Sequence, residues 1–176
     1  LQMVDSLLFA GKVQTHQIEL ALEPVNVGSV VNKVIEDMKP LAHRHARSFS
    51  TTITNQLEPA TADKIALSHA LGGILDVVIR SSKSEVVDVL VHHQEETVMI
   101  TLRDDGIHLP AGTINSIIKR LGSPQPAKQL PGTAGLSMYV AAVLSDALNG
   151  VFQIQQVKGK RAISLTLPRS EQMVLI

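Results

Sequence analysis

The chain contains no cysteine and no tryptophan, and only one tyrosine and three phenylalanines. Without cysteine there can be no disulfide framework and no thiolate metal centre. With so few rings, Val, Leu, Ile and Ala must fill the interior, within a hydrophobic content of 44%. An excess of one charge is missing too, since 16 Lys+Arg balance 16 Asp+Glu. That balance leaves no basic footprint for nucleic acid or an anionic membrane. No apolar run approaches the ~20 residues that cross a bilayer, and no secretory leader is visible. A cytoplasmic location without direct membrane contact is expected. The sequence starts at Leu1 rather than at Met, as a piece of a longer protein would.

The 176 residues present suit one domain, or one domain with a short appendage. Periodicity predicts a helix over Leu1 to Val13, with Val4, Leu7, Leu8 and Val13 on its apolar face. Gln17 to Leu22 alternates as a strand would, and Glu23-Pro24 is expected to end it. Asn26 reads as the N-cap of a helix from Val27 to Arg47, kinked or interrupted at Pro40. Ser48 to Thr54 is β-branched and strand-like, and Asn55 to Ala60 reads as a turn. A helix buried over much of its circumference follows from Asp63 to Arg80. Gly72-Gly73 in its middle costs roughly 1 kcal/mol per glycine relative to Ala, which suits close packing or the loss of a side chain.

Val86 to His92 and Thr97 to Arg103 form a predicted hairpin, and Ala111 to Leu121 a short helix. Gly122 to Ala134 holds three Pro and two Gly and cannot be regular. Gly135 to Leu148 is a helix stopped by Asn149-Gly150. Val151 to Val157 and Arg161 to Leu167 make a last hairpin. The expected fold class is a two-layer α/β sandwich, with a mixed, largely antiparallel sheet covered on one face by three helices.

The chemistry-bearing stretch is Val98 to Gly106. Val98, Ile100 and Leu102 alternate toward a core, and Asp104-Asp105-Gly106 delivers a carboxylate to the edge of the sheet. Gly106 lets the backbone turn and lets a ligand approach closely. The histidines do not assemble a metal site. His43 and His45 are two apart on a helix, and His92 and His93 point to opposite strand faces.

This order of elements, with Leu20-Ala21-Leu22-Glu23-Pro24-Val25, Ala62-Asp63-Lys64 and the closing run Gly159 to Pro168, resembles the ATP-binding catalytic domain of two-component sensor histidine kinases. That domain belongs to the gyrase, Hsp90, histidine kinase and MutL superfamily, with the Bergerat fold. The resemblance implies a division at residue 14: residues 1–14 end a dimerisation helix, and 15–176 form the ATPase domain. It also implies ATP and Mg²⁺ as cofactors. The implied partners are the parent kinase's dimerisation helices, in a homodimer, and a response regulator.

Set against the family's boxes, the chain departs at several positions. The first box typically reads Asn-Leu-Leu-x-Asn-Ala-x-Lys, and here Gly73 and Val77 stand at its two asparagines. The second asparagine normally holds Mg²⁺, which wants oxygen ligands. Arg80 keeps the positive charge of the lysine. Asp76 lies about 100° around the helix from Val77, a poor replacement ligand. The next box, Asp-x-Gly-x-Gly, reads Asp104-Asp105-Gly106-Ile107-His108, so Asp104 and Gly106 are kept and His108 replaces a glycine. Asp104 is the implied acceptor of the adenine amino group. The last box reads Gly135-Leu136-Ser137-Met138 behind Gly132, at a helix start suited to phosphate. Residues 122–134 take the place of the nucleotide lid, and Lys128 is the lid's cation. Ile117 to Arg120 is the nearest remnant of a phenylalanine-rich box.

The expectation is therefore a degenerate ATP-binding domain with weak or lost Mg-ATP binding. The alternatives are a competent kinase domain, a pseudokinase scaffold, and a partner-binding regulatory domain without nucleotide.

Overall fold

The computed structural model describes residues 3–106 and 134–172. Two capped helices anchor it. In α2 (Val27–Arg44) the Asn26 side chain accepts from Ser29 N at 3.0 Å. Val27, Val30, Val31, Val34, Ile35 and Met38 then form the buried stripe. Pro40 lies inside this helix, which continues to Arg44 without a break. In α3 (Lys64–Ser81) the Asp63 cap serves two segments. Its Oδ1 accepts from Ala66 N and its Oδ2 from Ala21 N, both at 2.9 Å. The cap thereby ties the approach to the domain onto the start of the buried helix.

Among the described residues there are seven strands: β1 (Glu23–Val25), β2 (Ser48–Ile53), β3 (Ala60–Ala62), β4 (Val86–Gln94), β5 (Thr97–Asp104), β6 (Val151–Val157) and β7 (Lys160–Pro168). The main sheet has the order β2-β4-β5-β7-β6. Only β2 and β4 run parallel, and the other pairs are antiparallel. Valines of β4, Val98, Ile100 and Leu102 of β5, and Ile163, Leu165 and Leu167 of β7 face one core. That core also takes residues from α2, α3 and α4 (Ala134–Ala147), giving the expected two-layer sandwich.

Three expectations need correction. Gln17 to Leu22 is not a strand. The strand is β1, and Pro24 sits inside it. Proline is tolerated there because β1 pairs only with β3, in a separate two-stranded ribbon, where a missing N–H costs little. The turn expected over Asn55 to Ala60 is present at Asn55-Gln56, but Ala60 already belongs to β3. The third correction concerns α1 (Met3–Gln14), whose buried face is Ser6, Ala10 and Val13. Val4 and Leu8 are instead 64% and 59% exposed. This helix packs chiefly on α4 and α3. The predicted helix at 111–121 and the segment 122–133 lie outside the described residues.

Candidate functional site

The C-terminal half of α3 carries the site, and two polar groupings lie along it. At one end Asp76 uses both carboxylate oxygens. Oδ1 accepts from Arg80 Nε at 2.8 Å, and Oδ2 accepts from Ser137 Oγ at 2.6 Å. Ser137 stands in the first turns of α4, so this carboxylate joins the two helices. Beside it, Val77 is only 1% exposed. It shares an apolar cluster with Ala10 and Val13 of α1 and with Met138, Tyr139 and Leu144 of α4.

Gly73 explains how α4 comes so near. A Cβ added there would lie 2.6 Å from the Ser137 carbonyl oxygen and 3.4 Å from Ala141 N. The glycine therefore serves close helix packing, and α4 backbone already occupies the space a side chain would need.

At the other end Asp104, the last residue of β5, is answered by Arg161 on β7, its direct partner in the strand register. Arg161 donates from Nε to Oδ1 at 2.8 Å and from Nη2 to Oδ2 at 2.5 Å. Both side chains are 2% exposed. Nη1 donates to Ser81 Oγ at 2.8 Å, and that hydroxyl donates on to the Val77 carbonyl. A planar guanidinium matched to a carboxylate at two points is the strongest common form of ion pair. Gly106 lies against the same guanidinium, and an added Cβ would overlap its Cζ and Nη2. Asp105 is exposed, with its N–H donated to Ser84 Oγ at 3.2 Å.

Of the residues singled out in the sequence, Asp104 and Gly106 meet at Arg161, while Arg80 pairs with Asp76, about 100° around α3 from the Val77 and Ser81 row. Gly135 and Leu136 open α4 and are partly exposed, and a Cβ at Gly135 would meet nothing within 4 Å. Gly132, Lys128 and His108 lie outside the described residues.

Arg161, Ser81 and the Asp76–Ser137 bond were missed. A signal for Arg161 was present. It falls in phase with the core-facing Ile163, Leu165 and Leu167, and an arginine in such a row demands a buried acid. A cleft of about 680 Å³ lies elsewhere, between the end of α1 and α4–β6, lined by Gln14, His16, Ser145, Asp146 and Phe152 among others. None of the sequence-predicted residues lines it. Among the described residues, no helix is long and apolar enough to cross a membrane.

Comparison with known proteins places this geometry. Residues 62–171 match the model of the histidine kinase-, DNA gyrase B-, and HSP90-like ATPase family. The sensor histidine kinase WalK of Bacillus subtilis (strain 168) is 21% identical over 178 aligned residues, covering 98% of this chain and 29% of that protein. This chain thus spans less than a third of its relative's length. Among solved structures, the histidine kinase AdeS of Acinetobacter baumannii aligns with a TM-score of 0.72 at 18% identity, covering 96% of this chain and 77% of that one. Full-length ShkA in complex with AMPPNP aligns with a TM-score of 0.76 at 20% identity, covering 98% and 36%. At these identities the structural likeness is one of fold.

Proposed function

The chain belongs to the histidine kinase-, DNA gyrase B-, and HSP90-like ATPase family, as a histidine kinase ATP-binding domain, and we propose that it is a degenerate member with weak or lost Mg-ATP binding. The observation that carries this reading is the surroundings of Val77. Mg²⁺ takes oxygen ligands in near-octahedral geometry. Val77 presents carbon to an apolar cluster, and the neighbouring Asp76 has both oxygens engaged. The described residues do not fit the ion. Phosphoryl transfer rests on positioning and on neutralising charge with metal, so catalysis by this domain would be severely reduced.

In this reading residues 1–14 end a dimerisation helix and residues 15–176 form the domain proper. Val4 and Leu8, exposed on α1 one turn apart, suit further helices of a homodimeric parent kinase. A response regulator would be the downstream partner, and the domain would act as a pseudokinase scaffold within that assembly. Calorimetric titration with ATP and excess Mg²⁺ tests the reading. No measurable metal-dependent binding is expected, and tight Mg²⁺-dependent binding would establish a competent nucleotide site instead.

A further inference from the structure

We infer that Arg161 is a built-in occupant of the nucleobase site, holding Asp104 in the place of a ligand's amino group and closing the site to adenine. The inference rests on the domain being a nucleotide-fold member, and it deepens that reading at the base end. An ionised carboxylate only accepts hydrogen bonds. Its natural ligands are groups that present N–H, as the exocyclic amine and ring edge of a base do. Arg161 already presents two N–H donors to the two oxygens of Asp104, at 2.8 and 2.5 Å. The pair is almost fully buried, so no solvated face of the carboxylate is left to receive a second donor of that kind.

The fit extends beyond the pair itself. Gly106, whose lack of a side chain would let a ligand come close to the backbone, admits the guanidinium instead. Ser81, at the end of α3, receives the remaining Nη1 and locks its orientation through the Val77 carbonyl. The guanidinium is thus held from β5, β7 and α3 together. A base could enter only by expelling a buried cation bonded to both Asp104 and Ser81. Arg161 lies directly opposite Asp104 in the register of β5 and β7, so the occupant is supplied by the sheet itself.

The test separates the base from the metal by leaving Mg²⁺ out. Binding of adenosine and of ADP is measured by calorimetry to the unaltered protein, to Arg161→Thr, to Asp104→Asn and to the double variant. Arg161→Thr places a β-branched residue, well suited to a strand, at this position and leaves Asp104 one hydroxyl donor. The expected result is no detectable binding by the unaltered protein and at least a tenfold gain in Arg161→Thr, abolished again in the double variant. A folded Arg161→Thr that gains nothing would overturn the inference, as would adenosine binding by the unaltered protein that Asp104→Asn removes.

A second measurement needs no substitution. The buried Arg161 Nε–H gives an NMR signal expected to persist unshifted in a large excess of ADP, and its loss on ADP addition would show the guanidinium giving way. Tight Mg-ATP binding that is insensitive to Asp104→Asn would sink the degenerate reading while leaving this inference standing.

Discussion

In the proposed reading the two ends of the α3 seam are closed by opposite means. At the proposed base end the carboxylate Asp104 faces a second polar group, Arg161. At the proposed metal end Val77 belongs to a hydrophobic cluster. One end is plugged and the other is paved over. A plug held by hydrogen bonds can in principle be drawn, because its removal exposes a group still able to bind. A paved surface exposes nothing useful when one residue is changed. The base end therefore retains the chemistry for recognition, whereas the metal end does not.

The largest effect that would break this comparison comes from splitting the plug. Arg161→Met leaves Asp104 buried and unpaired, which costs about 3–5 kcal/mol. The double variant Asp104→Leu/Arg161→Met should recover most of that loss, since an apolar pair of similar volume is often as stable as the ions. Urea unfolding of the three proteins measures it. If the single substitution is harmless, the carboxylate is reached by water and the base end is not sealed.

Gly73→Ala comes next. On helix propensity alone it should stabilise by roughly 1 kcal/mol. The Ser137 carbonyl oxygen at 2.6 Å reverses the sign, and a net loss of about 1–3 kcal/mol is expected from forced repacking, read as a lowered unfolding midpoint. Val77→Asn should cost about 1–3 kcal/mol for an unpaired buried amide and bring no Mg²⁺-dependent ATP binding. A gain in binding would mean that the metal end is merely missing a ligand and is otherwise intact.

The smallest effect concerns the seating of α1. His69 of α3 bonds Ser6 Oγ through Nδ1 at 2.8 Å and stacks on Phe9 with ring centroids 4.7 Å apart. Burial, opposed by Asp5, holds the His69 pKa below its ordinary value. The folded state then resists protonation that the unfolded chain accepts. This contribution is intact above pH 6.5, the ordinary value for the group, and declines as pH falls below it. Protection of the α1 amides against hydrogen exchange, corrected for the intrinsic slowing of exchange at lower pH, should fall as pH drops below 6.5, and His69→Gln should flatten that dependence.

The parts of this structure that were legible in the sequence depend on neighbours in the chain. The caps Asn26 and Asp63, the β4–β5 and β6–β7 hairpins and the all-round burial of α3 are written in local spacing and turn chemistry. The β1–β3 ribbon was not legible, because it joins three-residue strands across α2 and β2. The face of α1 was misjudged because Ser6 and Ala10, not the larger Val4 and Leu8, suit close contact with α3 and α4. The candidate site divided in the same way. Asp104 and Gly106 were visible as a motif. The occupant of Asp104 was not, because its meaning depends on a register established between strands 57 residues apart.

The contact at Gly73 has a consequence for the order in which substitutions can be made. The atoms facing it are main-chain atoms of α4, and these cannot swing aside as the tip of a side chain can. A glycine at this position lets the neighbouring helix sit close; a longer side chain meets that helix already in place. Exchange at this position therefore behaves as a ratchet. The forward step is a single residue, and the return requires α4 to move first.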